Sequence, residues 1–177
     1  EPLLDTYHDE RHPVGARVLH NTKAQVALGG VGDRAQALRD VVGDLLAMDE
    51  PRRHVAGMLS GLDVAYDLGG EHPLVGRRIP DLDLDTDRGG VRVHDLLHDA
   101  RPLLLDLSDG DAPALPRRVQ YVAGSCAGPW ELPVVGEVDP PRSVLVRPDG
   151  HVAWVGEPSD PHLPEAAARW FGGPPTV

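Results

Sequence analysis

Pro141-Arg142-Ser143-Val144-Leu145-Val146-Arg147-Pro148-Asp149-Gly150-His151-Val152-Ala153-Trp154-Val155-Gly156 is the stretch on which the reading of the fold turns. Val144 to Val146 is a short apolar run of strand formers, and Val152 to Val155 is a second. Between them, Pro148-Asp149-Gly150 is turn chemistry: proline presets the first corner and glycine accepts positive φ. The stretch therefore predicts strand, tight turn, strand. Pro141 stands just ahead of the first strand.

Upstream and downstream of it the pattern is of short elements. Leu82 and Leu84 alternate with aspartates, and Val91 and Val93 flank Arg92. A short helix is predicted from His94 to Asp99. Leu103-Leu104-Leu105-Asp106-Leu107 reads as a buried strand, a weak helix is predicted over 111–117, and a strand over Arg118 to Ala123. Residues 124–140 read as loop, and Pro164 to Phe171 as a terminal helix. Strands alternating with helices argue for an α/β sheet. The order, ending in hairpin and helix with a proline before a central strand, resembles the thioredoxin-like fold. That resemblance implies a domain over 80–177 and a cis bond at Pro141.

Residues 1–62 differ in kind. Leu3, Leu4, Tyr7, Val14, Val18, Leu19, Val26 and Leu28 recur at helical spacing, with Pro13 predicting a kink or a fresh helix start. Gly29-Gly30-Val31-Gly32 ends that helix. A second helix is predicted over 34–47 with Asp33 as N-cap, and a third over 51–61 opened by Asp49 and Pro51. Residues 63–79, broken by Gly69-Gly70, Pro73 and Gly76, read as a connector. The expected architecture is an all-helical arm, a connector and an α/β domain.

The chain has 177 residues and a net charge of −11, spread without a long acidic block, which disfavours nucleic acid and anionic membranes as partners. No apolar run approaches a membrane span. One cysteine, Cys126, precludes an intrachain disulfide and points to a cytoplasmic protein. It also removes disulfide-exchange chemistry, which needs two thiols, one activated at a helix start. The corresponding place here, Ser108-Asp109-Gly110-Asp111, has none.

Other constellations are weaker. His94 and His98, like His8 and His12, stand at i, i+4, a spacing that can present two metal ligands. A solvated face is the preferred reading of the first pair, and the second falls in the segment Leu4 to Gly15, whose role reads as structural. Asp81, Asp83, Asp85 and Asp87 lack the glycine and glutamate of a calcium loop, so they read as the wet face of a strand. Trp130, Trp154 and Trp170 read as packing residues. No catalytic, cofactor-binding or metal-ligating residue is predicted.

Two further segments carry a resemblance. Leu4-Asp5-Thr6-Tyr7-His8-Asp9-Glu10-Arg11-His12-Pro13-Val14-Gly15 resembles a segment that follows the glycine-rich flavin motif of class A flavin-dependent aromatic hydroxylases. Gly76 to Leu82, Trp130 to Val134 and Arg147 to Val155 resemble the C-terminal thioredoxin-like domain of the polyketide and rifampicin hydroxylases of that family. The resemblance implies a parent enzyme that uses FAD and NADPH to hydroxylate a polycyclic aromatic substrate. It implies that Tyr7, Glu10 and Arg11 tie the arm to a flavin domain. This chain has no GxGxxG between a strand and a helix, and Gly29-Gly30-Val31-Gly32 follows a helix. The expectation is therefore that the chain binds no cofactor by itself and serves as a structural or assembly part. Its partner would be the flavin and substrate domain, a separate protein or a second copy. A free-standing, non-redox thioredoxin-like binding protein is the alternative. A patch exposed over residues 3–28 would mark the missing partner.

Overall fold

A computed structural model describes residues 2–108 and 112–172. The chain divides into two compact units between Val64 and Ala65.

The first unit is helical. α1 runs Pro2–Leu28, α2 Asp33–Leu46 and α3 Asp49–Ser60. Pro13 lies inside α1, which continues through it as one helix, so no second helix starts there. Asp33 is the first residue of α2 and Gly32 its cap, with no side-chain cap bond, which corrects the expected N-cap. Gly32, at φ 96°, turns the chain where an aspartate would be strained. Arg39 reaches back to the end of α1, donating to the carbonyls of Leu28 and Gly30 at 2.7 and 2.8 Å. It thereby satisfies acceptors that a helix end leaves open. Arg17 forks onto Asp63 at 2.8 and 3.0 Å. Gly61 closes α3 in the left-handed conformation.

What this unit lacks is a core. Gly57 is its one fully buried residue among those described, while Leu4, Tyr7, Val18, Leu19, Val26, Val41, Leu45 and Leu59 are all exposed. The patch expected along 3–28 is present: Tyr7 is 68% and Val26 71% exposed.

The second unit has a four-stranded mixed sheet in the order β4-β3-β7-β8. Its strands are β3 Leu103–Asp106, β4 Gln120–Ala123, β7 Ser143–Val146 and β8 Val152–Gly156. β3 pairs parallel with β4 and antiparallel with β7, and β7 pairs antiparallel with β8. β3 and β7 are buried at every residue, as central strands covered on both faces must be. Two small hairpins accompany the sheet, β1 Asp83–Thr86 with β2 Gly89–Arg92, and β5 Trp130–Leu132 with β6 Gly136–Val138. α4, Leu163–Phe171, packs Leu163, Ala167, Trp170 and Phe171 inward.

Several elements depart from expectation. Residues 112–116 form no helix, because Pro113 and Pro116 remove donors and clash with a preceding turn. Asp111, the start of that predicted helix, lies outside the described residues. The β5–β6 hairpin occupies a region read as loop; each strand is three residues long and Pro133 breaks the run. Its turn holds Val134 at φ 71°, a strained conformation for a β-branched residue.

Pro141 is trans: no cis peptide occurs among the described residues. The trans chain runs straight on, and the Arg142 carbonyl accepts the Leu107 amide at 2.8 Å, extending the β3–β7 pairing by one bond. Trans is also the intrinsic preference at proline.

The segment read as a connector is woven into the second unit. Tyr66, Leu68, Leu74 and Ile79 are buried. The Gly76 amide donates to Val152 O, the Val152 amide to Arg77 O, and the Ile79 amide to Gly150 O, at 2.8 to 2.9 Å. Gly76, at φ 79°, admits no side chain, since a Cβ there would lie 1.9 Å from the Tyr66 carbonyl oxygen. Gly76→Ala is therefore expected to cost roughly 2 kcal/mol or more, lowering Tm by several degrees. Gly90→Ala, with 3.8 Å of clearance to Leu84 O, is expected to stay within about 1 kcal/mol of the parent. Thermal unfolding of the two variants checks the contrast.

Candidate functional site

The place where a thioredoxin-like fold carries its chemistry is the carboxyl end of β3. Here that place holds a locked carboxylate. Asp106 is fully buried. Its Oδ1 accepts the Ser108 amide at 2.9 Å and the Ser108 hydroxyl at 2.7 Å, and its Oδ2 accepts the Tyr121 hydroxyl at 2.8 Å. The Gly124 amide donates to its carbonyl at 3.0 Å. The carboxylate thus ties β3 to β4 and to the loop that follows β3. Asp109, Gly110 and Asp111, the rest of the segment aligned with a dithiol loop, lie outside the described residues. Sequence reasoning passed over Asp106, although a lone aspartate inside Leu103-Leu104-Leu105-Asp106-Leu107 is itself a signal: a buried carboxylate needs partners.

An open groove adjoins this network. Asp85, Arg88, Arg101, Ser108, Tyr121 and Ser125 are among its walls. The β1–β2 hairpin closes one end, where Asp85 and Ser125 exchange backbone hydrogen bonds of 2.8 and 2.9 Å. Its walls carry charges of both signs, and no group of three or more metal-ligating side chains forms among the described residues.

The other candidates separate cleanly. His94 and His98 flank a short 3₁₀ turn, Asp95–Leu97, instead of an α-helix, so i, i+4 spacing no longer places them on one face. His94 Nε2 sits 3.1 Å from Ile79 O, and the His98 ring is turned to Asp95 at 3.8 Å. Asp81 is a tether: it accepts from Arg92 Nε and from the His94 amide at 2.9 and 3.0 Å. Burial works against its ionisation, but those bonds and charges outweigh it and hold the carboxyl below the usual range. Asp83 pairs with Arg92 at 3.3 Å. These aspartates are the wet edge of a hairpin.

Burial pushes the Cys126 thiol up and Asp83 adds to it, with contact to Trp130 offsetting only part. A thiol held protonated is a poor nucleophile. In the helical unit Tyr7 and Arg11 are exposed and Glu10 is half-buried. His8 and His12 stack on α1 with ring centres 5.1 Å apart.

The residues of the opening stretch form the most elaborate cluster. Arg147 forks onto Asp149 at 2.6 and 3.2 Å. Its guanidinium carbon lies 4.5 Å from the Trp170 ring centre and 5.7 Å from that of Tyr66. His151, nearly buried, packs its ring 4.5 Å from Tyr66, with Nδ1 3.4 Å from Asp149 Oδ2. That approach is close in distance but off hydrogen-bond geometry, and the His151 amide donates to Asp149 Oδ1 at 3.2 Å. The cluster binds the turn after β7 to the segment before β1 and to α4. These residues fall in the stretch whose pattern carries the resemblance.

That pattern belongs to a family. Residues 72–174 match the model of the aromatic-ring hydroxylase C-terminal family. The chain belongs to that family. Among curated relatives, this chain is 41% identical to a 12-dehydrotetracycline 5-monooxygenase/anhydrotetracycline 6-monooxygenase of Streptomyces rimosus, over 97% of this chain and 35% of the relative. It is 39% identical to a rifampicin monooxygenase of Streptomyces venezuelae, over 97% and 33%, and 34% identical to a dialkyldecalin synthase of Streptomyces rugosporus, over 96% and 32%. A solved aromatic hydroxylase from angucycline biosynthesis superposes with a TM-score of 0.84 at 46% identity, covering 98% of this chain and 36% of that one. The chain spans about a third of the length of these relatives.

The cluster gives a pH prediction. Burial opposes ionisation of Asp149, but His151 and Arg147 outweigh it and hold the carboxyl well below the usual range. A carboxyl depressed in the folded state contributes stability above its unfolded value, about 3.9, and loses it as pH falls towards the folded value. Stability is therefore expected to drop below about pH 4. Asp149→Asn is expected to cost roughly 1–3 kcal/mol at neutral pH and to flatten that acid limb. Denaturant unfolding of both proteins from neutral to acid pH measures it.

Proposed function

We propose that this chain is the C-terminal part of an FAD-dependent aromatic monooxygenase of the polyketide-modifying kind, and that its own role is structural. The observation that carries this is the coreless helical unit. Among the described residues, the exposed large apolar side chains other than Val134 and Val135 lie within residues 4–62. Three helices with no buried apolar side chain among the described residues do not hold together on local propensity alone. They need a body to cover them. Leu4, Tyr7 and Val18, at i, i+3 and i+14, make one such stripe on α1, with Arg11 beside it. Further apolar residues on α2 and α3, Val41, Leu45 and Leu59, also await cover. Exposure on three helices suits an enclosing domain of the same polypeptide better than one flat contact with a second copy.

In that parent, FAD reduced by NADPH would supply the oxygen-transfer chemistry, and the substrate would be a polycyclic phenol. No step of that reaction falls to a residue of this chain. The synthase relative supports the division of labour: a similar portion accompanies a different activity. Tyr7, Glu10 and Arg11 would face the flavin-binding part, and the α/β unit would brace it without redox chemistry, its one thiol being protonated and unpaired with a second cysteine.

Amide hydrogen exchange tests the reading. In the isolated chain, residues 2–64 are expected to exchange fast and 65–172 slowly, with no stoichiometric flavin absorbance at about 450 nm after incubation with FAD. Joined to the flavin-binding portion, 2–64 should gain protection. Slow exchange throughout a monomeric isolated chain, or a stoichiometric flavin band, would overturn it.

A further inference from the structure

We infer that His8 and His12 form a two-point binding site for a borderline divalent transition metal such as Cu²⁺ or Zn²⁺. Both side chains are exposed on α1, and no hydrogen bond to another described residue holds either ring. Four residues apart on an α-helix, they rise from adjacent turns of the same face. Their ring centres are 5.1 Å apart and their planes differ by 28°. With metal–nitrogen bonds of about 2.0–2.1 Å, two imidazoles on one ion have ring centres roughly 4.5–5.2 Å apart, from square to tetrahedral angles. The ring-centre separation falls within that range, and chelation requires the stacked rings to rotate until one nitrogen of each converges on the ion.

The comparison within the chain sharpens the point. His94 and His98 have the same sequence spacing, but they flank a 3₁₀ turn, and their rings are turned to Ile79 O and to Asp95. Spacing alone does not make the site; the α-helix does. No third cysteine, carboxylate or imidazole joins His8 and His12 into a larger metal group among the described residues. The site is thus open, its remaining positions left to water or to a donor from outside. Neutral imidazoles favour copper, nickel and zinc over magnesium and calcium, which take oxygen ligands. His8 and His12 follow Tyr7 and Arg11 by one residue each, so they are turned about 100° from the stripe assigned above to the flavin-binding part. Leu19 and Val26, also exposed, lie on the face of His8 and His12, so the site is one of the isolated chain.

Titration of the full 177-residue chain with Cu²⁺ and with Zn²⁺, followed by calorimetry and by circular dichroism, tests the inference. One equivalent is expected to bind with a gain in helicity, since a clamp across one turn pins α1. His8→Ala and His12→Gln should each weaken binding by about tenfold or more. His94→Ala and His98→Ala should leave it unchanged, as should Mg²⁺ in place of Cu²⁺. Electron paramagnetic resonance of the Cu²⁺ complex should show nitrogen coupling that the His8 and His12 variants alter. Equal affinity in the wild-type and His8→Ala chains, or loss of binding in the His94→Ala chain instead, overturns the site.

Discussion

Arg147 holds the α/β unit together at its most crowded point. The guanidinium lies against Trp170 of α4 and near Tyr66 of the segment before β1, and it forks onto Asp149 two residues along its own hairpin turn. Only 13% of the Arg147 side chain meets solvent. A charge so placed needs its carboxylate, and once paired its flat face suits the aromatic faces around it. Three pieces of chain distant in sequence thus converge on one side chain. The Pro148-Asp149-Gly150 turn serves two ends: it reverses the chain and presents the carboxylate that neutralises Arg147.

From this point the order of construction follows. β7 and β8 are joined by the turn, β7 pairs with β3, and β3 with β4. On the far edge, β8 holds residues 76–79 through backbone bonds at Val152 and Gly150. The fully buried side chains of β3 and β7 then exclude water from the middle of the sheet. At the end of β3, Asp106 and its partners Ser108 and Tyr121 fix the loop exit and the neighbouring strand.

Much of this was legible in the residues. The helical stripes of 1–62, the hairpin at 143–156, the buried runs of β3 and β7 and the family pattern all rest on local chemistry that the chain displays openly. What was not legible depended on distant partners. Residues 63–79 look like a linker because glycine and proline erase periodicity. Yet Gly76 is there because the Tyr66 carbonyl leaves no room for a side chain, and only the fold shows that. The β5–β6 strands are too short to carry a period. The cis expectation at Pro141 came from analogy, and the Arg142–Leu107 bond decided for trans. His94 and His98 looked like a pair until a 3₁₀ turn separated them. Asp106 was visible as an oddity, but its meaning lay with Tyr121, fifteen residues on.

The two units pose opposite physical problems, and that contrast bears on what the chain is for. The α/β unit buries an apolar core and ties its ends with charge and aromatic contact, so its stability is its own. The helical unit spends its hydrogen bonds well, with Arg39 on the end of α1 and Arg17 on Asp63, yet leaves its large apolar side chains in water. Polar bonds of that kind fix geometry, but they add little net stability when the same groups could bond to water. A helical unit specified in its turns but unfinished in its core is what the proposed covering body would complete. That body would bring the missing apolar area, and a domain of the same polypeptide would do so without the entropic cost of bringing two molecules together.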